Sequence, residues 1–181
     1  MGKIKEPKPA KLFMSLIIAK EEVLDQWMKD LRLAFGEIDF ISERFQFNLT
    51  DYYAQEMGRN LYRHFITFEH LIPIPNLPGI KIITNCLEEK YAVPIGKRRI
   101  NIDPGYLYLE HIILATTKGY SHRPYLREGI YADLTLIYRN KSFQPLEWTY
   151  PDYRQKEIIS LFNQFRKKYM EDLKKEAGDL C

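Results

Sequence analysis

His122 is the side chain in this chain best suited by type to move a proton near neutral pH. It stands between Tyr120 and Arg123, and Asp133 or Asp103 is the aspartate suited to orient its ring. Arg99, Asn101 and Asp103 alternate with Ile100 and Ile102, so on a strand they share one face. A cation, an amide and a carboxylate in a row suit a polar ligand, and the planar, always-charged Arg fork suits phosphate. Tyr131, Asp133 and Thr135 alternate in the same way with Ala132, Leu134 and Leu136. If the two polar faces meet, Arg99 and Arg123 hold an anion beside Asn101. His122 then transfers a proton, Asp133 orients it, and Tyr131 stacks or donates a hydrogen bond. Each residue also has a plainer reading: Asp103 caps a helix, the second strand is simply amphipathic, and His122 is a structural hydrogen-bonder.

Other clusters stay open in the same way. Lys81, Asn85 and Glu88 or Glu89 form a polar stripe that faces either a pocket or solvent. Asp51, Tyr52, Tyr53 and Glu56 form either a cleft cover or a capped surface turn. In residues 148–153, hydroxyl-bearing rings favour a binding surface, whereas Asp152 and Gln155 fit a capping box for a last helix. His64, His70 and His111 are scattered, and Cys86 and Cys181 form no C-x-x-C, so no metal site is expected. No cofactor can be named from these residues. There is no G-x-x-x-x-G-K-[ST] loop, and Asn140-Lys141-Ser142-Phe143 lacks the Asp of a guanine-reading N-K-x-D. His64-Phe65-Ile66-Thr67 is one residue too long for the His-x-Ser/Thr of two-histidine phosphodiesterases, and no second copy exists.

The elements that must position these groups follow from apolar periodicity. Residues 12–19 read as a buried strand, and Leu24, Trp27, Met28, Leu31 and Phe35 mark a helix ended by Gly36. Residues 37–47 read as one strand, 50–58 as a helical turn capped by Thr50, and 61–71 as a strand. Ile80, Ile83, Leu87 and Tyr91 mark a second helix, before a strand at 98–102. That succession is the ferredoxin-like β-α-β-β-α-β order. Residues 104–118 then read as a helix with Asp103 as its cap, Pro104 at its first position and Gly119 as its stop. Extended segments at 120–127 and 130–138 precede a final helix from about Tyr153, whose charged tail frays from Glu171. The expected fold is one α/β (α+β) domain over 11–175. It has a mixed, mainly antiparallel sheet on a ferredoxin-like core and a C-terminal extension of strands and helices. A flexible arm spans 1–10 and a frayed tail 176–181.

Composition bounds the function. The chain has 181 residues, 45% of them apolar, enough for a core. A net charge of +3 and a pI near 8.7 are too weakly basic to argue for nucleic acid alone. Two cysteines without a scaffold, no apolar run of membrane length and no signal-type start point to a cytoplasmic protein.

A series of local signatures runs the length of the chain. It comprises Lys11-Leu12-Phe13, Thr50-Asp51-Tyr52-Tyr53, Glu56-Met57-Gly58, Asn101-Ile102-Asp103-Pro104-Gly105-Tyr106 and Ala115-Thr116-Thr117-Lys118. It continues with Tyr120-Ser121-His122-Arg123, Gly129-Ile130-Tyr131-Ala132 and Trp148-Thr149-Tyr150-Pro151-Asp152-Tyr153. Together they closely resemble domain-of-unknown-function family 4416, a prokaryotic family of similar length. This chain departs from the family pattern at Pro124 and at Asp133, where the carboxylate is one methylene shorter than the family's Glu. The resemblance implies no established activity; some members carry a GTP-binding name, which the missing GTPase motifs do not support. The function expected from the residues is binding of a phosphorylated or nucleotide-like small molecule, with or without chemistry on it. Two alternatives are an RNA-binding module using Lys97, Arg98 and exposed tyrosines, and a non-catalytic protein-interaction domain.

Overall fold

Strand β1 (Ala10–Ile18) is buried at every position. A strand with no solvent face needs neighbours on both edges and cover on both faces. The computed structural model, which describes residues 2–19, 24–47, 54–58, 60–92 and 98–178, provides both. Two long strands flank β1 antiparallel: β4 (Leu61–Ile72) on one edge and β5 (Ile100–Leu107) on the other. Beyond β4 lie the short strands β2 (Ile38–Ile41) and β3 (Phe45–Phe47). Beyond β5 come β6 (His111–Thr116), β8 (Ile130–Arg139) and β7 (Tyr125–Arg127), with β9 (Ser142–Pro145) also on β8. The nine-stranded sheet thus runs β2-β4-β1-β5-β6-β8-β7. Every pairing among the described residues is antiparallel, so the expected mixture of directions is not found there.

Alternation along β1 sends its side chains into two cores. Leu12, Met14, Leu16 and Ile18 meet Trp27, Met28 and Leu31 of α1 (Leu24–Phe35) and Ile80 of α3 (Leu77–Lys90). On the opposite face, Phe13 joins Phe65, Leu107, Phe162, Phe165 and Tyr169, the last three from α4 (Lys156–Gly178). Phe13 meets Phe162 edge-on, with ring centroids 5.0 Å apart. Full burial of such side chains contributes about 1.5–3 kcal/mol each. The helices therefore dock because their apolar stripes have a two-sided sheet to cover. Among the described residues, no helix is long and apolar enough to cross a membrane.

The structure corrects several expected elements. Residues 104–118 form no helix: they are the end of β5, a tight connection, β6 and the two residues that follow it. Ile112 and Leu114 point to one core, while Ile113 and Ala115 point to another, a period of two that helix spacing does not produce. Asp103 accordingly caps nothing and lies within β5. The single strand expected at 37–47 is broken into β2 and β3. Buried Ser42 sits at the break and its hydroxyl accepts the Phe65 N–H at 2.9 Å. Asp152 belongs to a 3-10 turn (Pro151–Arg154) with no side-chain cap, and α4 begins only at Lys156. Helix α4 also continues regularly past Glu171 to Gly178. Gly36, at φ +93°, closes α1 by donating to Arg32 O at 2.9 Å, as its position suggested. The expected cap at Thr50 lies outside the described residues, where α2 (Ala54–Met57) follows.

Candidate functional site

The β5–β6 ladder stops at the pair Gly105–Leu114. The next residue back along β5 is Pro104, which has no N–H to continue it. Residues 100–104 therefore pair with β1 on one edge, and no described strand pairs with the other. Two side chains of α3 occupy that edge instead. Glu88 Oε1 accepts the Ile102 N–H at 2.6 Å, and Lys81 Nζ donates to Ile102 O at 3.0 Å. Burying this peptide unpaired costs about 1–3 kcal/mol per group, so the helix side chains are structurally required here.

Between β5 and residues 114–118 the sheet opens into a cleft of about 870 Å³. Its walls carry Arg63, Lys81, Asn85, Glu88, Glu89, Arg98, Asn101, Asp103, Lys118, Asp133 and Asp152, with Tyr150 and Tyr153. The volume falls in the range of small-molecule sites. Few of these charges are loose. Lys81 Nζ is 3.1 Å from Asp103, whose other oxygen accepts from Asn101 at 2.7 Å. Arg98 bonds Glu56, Glu88 and Asn101. Arg63 pairs with Asp152 and lies over the rings of Phe47, Phe65 and Tyr153. Arg63 is only 6% exposed, yet its Nε has no hydrogen-bond partner among the described residues.

Burial pushes the acids of the cleft apart. Desolvation alone would raise the Asp103 carboxyl, but Lys81, Asn101 and Arg63 outweigh it and hold it below the usual range. Glu88 is raised instead, because desolvation there exceeds the pull of Lys81 and its hydrogen bonds. Burial also raises the Tyr150 and Tyr153 hydroxyls. Two carboxyls displaced in opposite directions within one cleft is the pattern that separates an acid from a base. Here both are held in structural bonds.

The residues expected at the site are divided by the fold. Asn101 and Asp133 both line the cleft, although β6 separates their strands. Arg123 stands behind Asp133, donating from Nε to Oδ2 at 2.8 Å and from Nη2 to the Tyr150 hydroxyl at 2.7 Å. His122 is 3.7 Å from Asp133 but sits in a neighbouring shallow cleft with Tyr120, Ser121, Glu147 and Trp148. Its ring stacks on Trp148 at 4.9 Å. Tyr131 packs edge-on against Tyr125 at 5.3 Å and beneath Gly119, outside the cleft. Arg99 is exposed and outside it too, and the neighbouring Arg98 takes the wall position.

Arg63 is the wall residue that the sequence reading misses; of the open alternatives, Lys81 and Glu88 face the cleft and Asp152 lines it rather than capping a helix. No local signal marks Arg63: Glu69 is a second charge in step with it on the same strand. Lys81 and Glu88 belong to the polar stripe of α3, which faces this cleft. Lys97, part of the RNA alternative, lies outside the described residues, while α1, α3 and α4 cover the two faces of the central strands. No group of His, Cys, Asp and Glu among the described residues is placed to hold a metal ion.

Fold and cleft together define an α+β protein with one antiparallel sheet and a charged crevice where that sheet parts. A family model described as Domain of unknown function (DUF4416) matches residues 8–169, and the chain belongs to that family. No curated protein and no solved structure matches it.

Proposed function

We propose that this protein binds a phosphorylated or nucleotide-like small molecule in the cleft between β5 and β6. The observation that carries this reading is Arg63, a buried guanidinium in the cleft wall with an unfilled Nε donor. An arginine out of water normally fills its donors, and a phosphoryl or carboxylate oxygen suits that fork. Lys81 adds a second buried cation, and Tyr150 and Tyr153 supply ring surface with hydroxyl handles. Asn101 and Asp133 offer an amide and a carboxylate to the remainder of the ligand. Proton transfer by His122 is not assigned, because its ring is turned into the adjacent cleft against Trp148.

A thermal-shift screen of nucleosides, nucleotides and sugar phosphates tests the reading. A ligand at one hundred times its Kd adds about 2.7 kcal/mol of stability. Arg63→Gln, shown to be folded, should abolish the shift. No shift with any member of the panel overturns the proposal.

A further inference from the structure

We infer that the cleft selects a ligand with one phosphoryl group and a hydroxyl- or amine-rich remainder, a nucleoside or sugar monophosphate, over di- and triphosphates. This rests on the reading that the cleft is a small-molecule site. The described lining carries four cations (Arg63, Lys81, Arg98 and Lys118) against five carboxylates (Glu88, Glu89, Asp103, Asp133 and Asp152). Two of the cations are buried, and each already faces a carboxylate: Arg63 faces Asp152 and Lys81 faces Asp103. Arg98 is held between Glu56 and Glu88. The unfilled donor at Arg63 serves one anionic group. A chain of phosphates needs a run of cations or backbone N–H groups, such as a glycine-rich loop, and the sequence has no such loop. Here its second and third phosphates would meet carboxylates instead, and like charges in a partly desolvated cleft repel strongly. The same carboxylates become useful when the ligand presents donors. Ionised Asp and Glu are acceptors only, matched to sugar hydroxyls and amino groups. Asp103 is the carboxylate most firmly held in that state, by Lys81 and Asn101.

Titration calorimetry on the full chain tests this with adenosine, AMP and ATP, guanosine, GMP and GTP, and glucose with glucose 6-phosphate, in EDTA so that no metal masks charge. At least one monophosphate should bind tenfold or more tighter than its triphosphate or than its unphosphorylated parent. In the folded Asp133→Asn protein, the preference for monophosphate over triphosphate should shrink several-fold. A triphosphate binding as tightly as its monophosphate overturns the inference and leaves the proposed function standing. An unchanged preference in folded Asp133→Asn does the same, whereas an unphosphorylated parent that binds as well as its monophosphate overturns both the inference and the phosphoryl contact at Arg63. If that variant does not fold, the wild-type ratios decide alone. Binding by none of the compounds overturns the proposed function itself.

Discussion

The two ends of β1 each gather buried charge, but only one end makes a cleft. At the first end, Lys11 is 1% exposed and held by Asp39 at 2.6 Å and Asp172 at 2.7 Å. Lys168 closes the group from α4, and Thr67 donates to Asp39 at 2.5 Å. There β1 has full neighbours, Lys11 standing opposite Leu71 of β4 and Leu107 of β5. At the other end Arg63 stands opposite Ile17, and β5 has lost β6 beyond Gly105. Similar charges therefore form a closed knot where the sheet is continuous and a lined cleft where it parts. The local topology, more than residue type, separates structural charge from candidate binding charge.

Breaking the knot should cost most. Lys11→Ala leaves the half-buried Asp39 and Asp172 with Lys168 as their remaining cation, and loss of one partner of a buried ion pair costs about 3–5 kcal/mol, the low end applying where the carboxylates keep some water. We expect a loss of about 3 kcal/mol in urea denaturation. Gly105→Ala tests the point where the sheet parts. Its Cβ would stand 2.5 Å from Ile113 O and 2.7 Å from the Phe13 ring. Overpacking of this kind costs about 1–3 kcal/mol, and we expect roughly 2 from the same denaturation measurement. At the cleft, Lys81→Met removes the donors to Ile102 O and Asp103. Water reaches the Asp103 side chain, which is 29% exposed, so the stranded carboxylate is partly solvated. The expected loss is about 1–2 kcal/mol. If Lys81→Met costs as much as Lys11→Ala, the distinction between knot and cleft fails.

β1, α1, β4 and α3 were legible because their apolar residues repeat cleanly and Gly36 closes α1. The region after Ile102 misled for a definite reason. Asp103-Pro104 is a strong helix-start signal, and nothing local reveals that Asp103 has Lys81 as a partner. The same proline that suggested a helix instead ends the β5–β6 ladder and so makes the cleft. Asn101 and Asp133 were legible from strand alternation. Arg63 and Asp152 were not, because they come from segments 89 positions apart in sequence whose meeting depends on the whole sheet. His122 drew notice by residue type, but its position is set by the Trp148 ring, which sequence spacing does not place.

Titration gives the finest contrast between the two ends. Burial would raise Asp39, but Lys11, Thr67 and Lys168 outweigh it and hold its carboxyl below the ordinary 3.8. Its contribution is therefore present above that value and lost as the pH falls through the folded pKa. Glu88 runs the other way. Desolvation lifts it above the ordinary 4.5, so the folded state prefers the neutral form. Its contribution is complete below that value and lost as the pH rises through the folded pKa. Asp39→Asn should remove part of the acid-side fall in stability. Glu88→Gln, which keeps an acceptor for the Ile102 N–H, should flatten the slope on the neutral side, where the raised carboxyl would otherwise ionise. Denaturant midpoints from pH 3 to 7.5, a span set by the usual carboxylate range with room on both sides, resolve the two limbs. If both variants flatten the same limb, the charges at the two ends of β1 are not held in opposite senses, and Glu88 is an ordinary member of the ion-pair network.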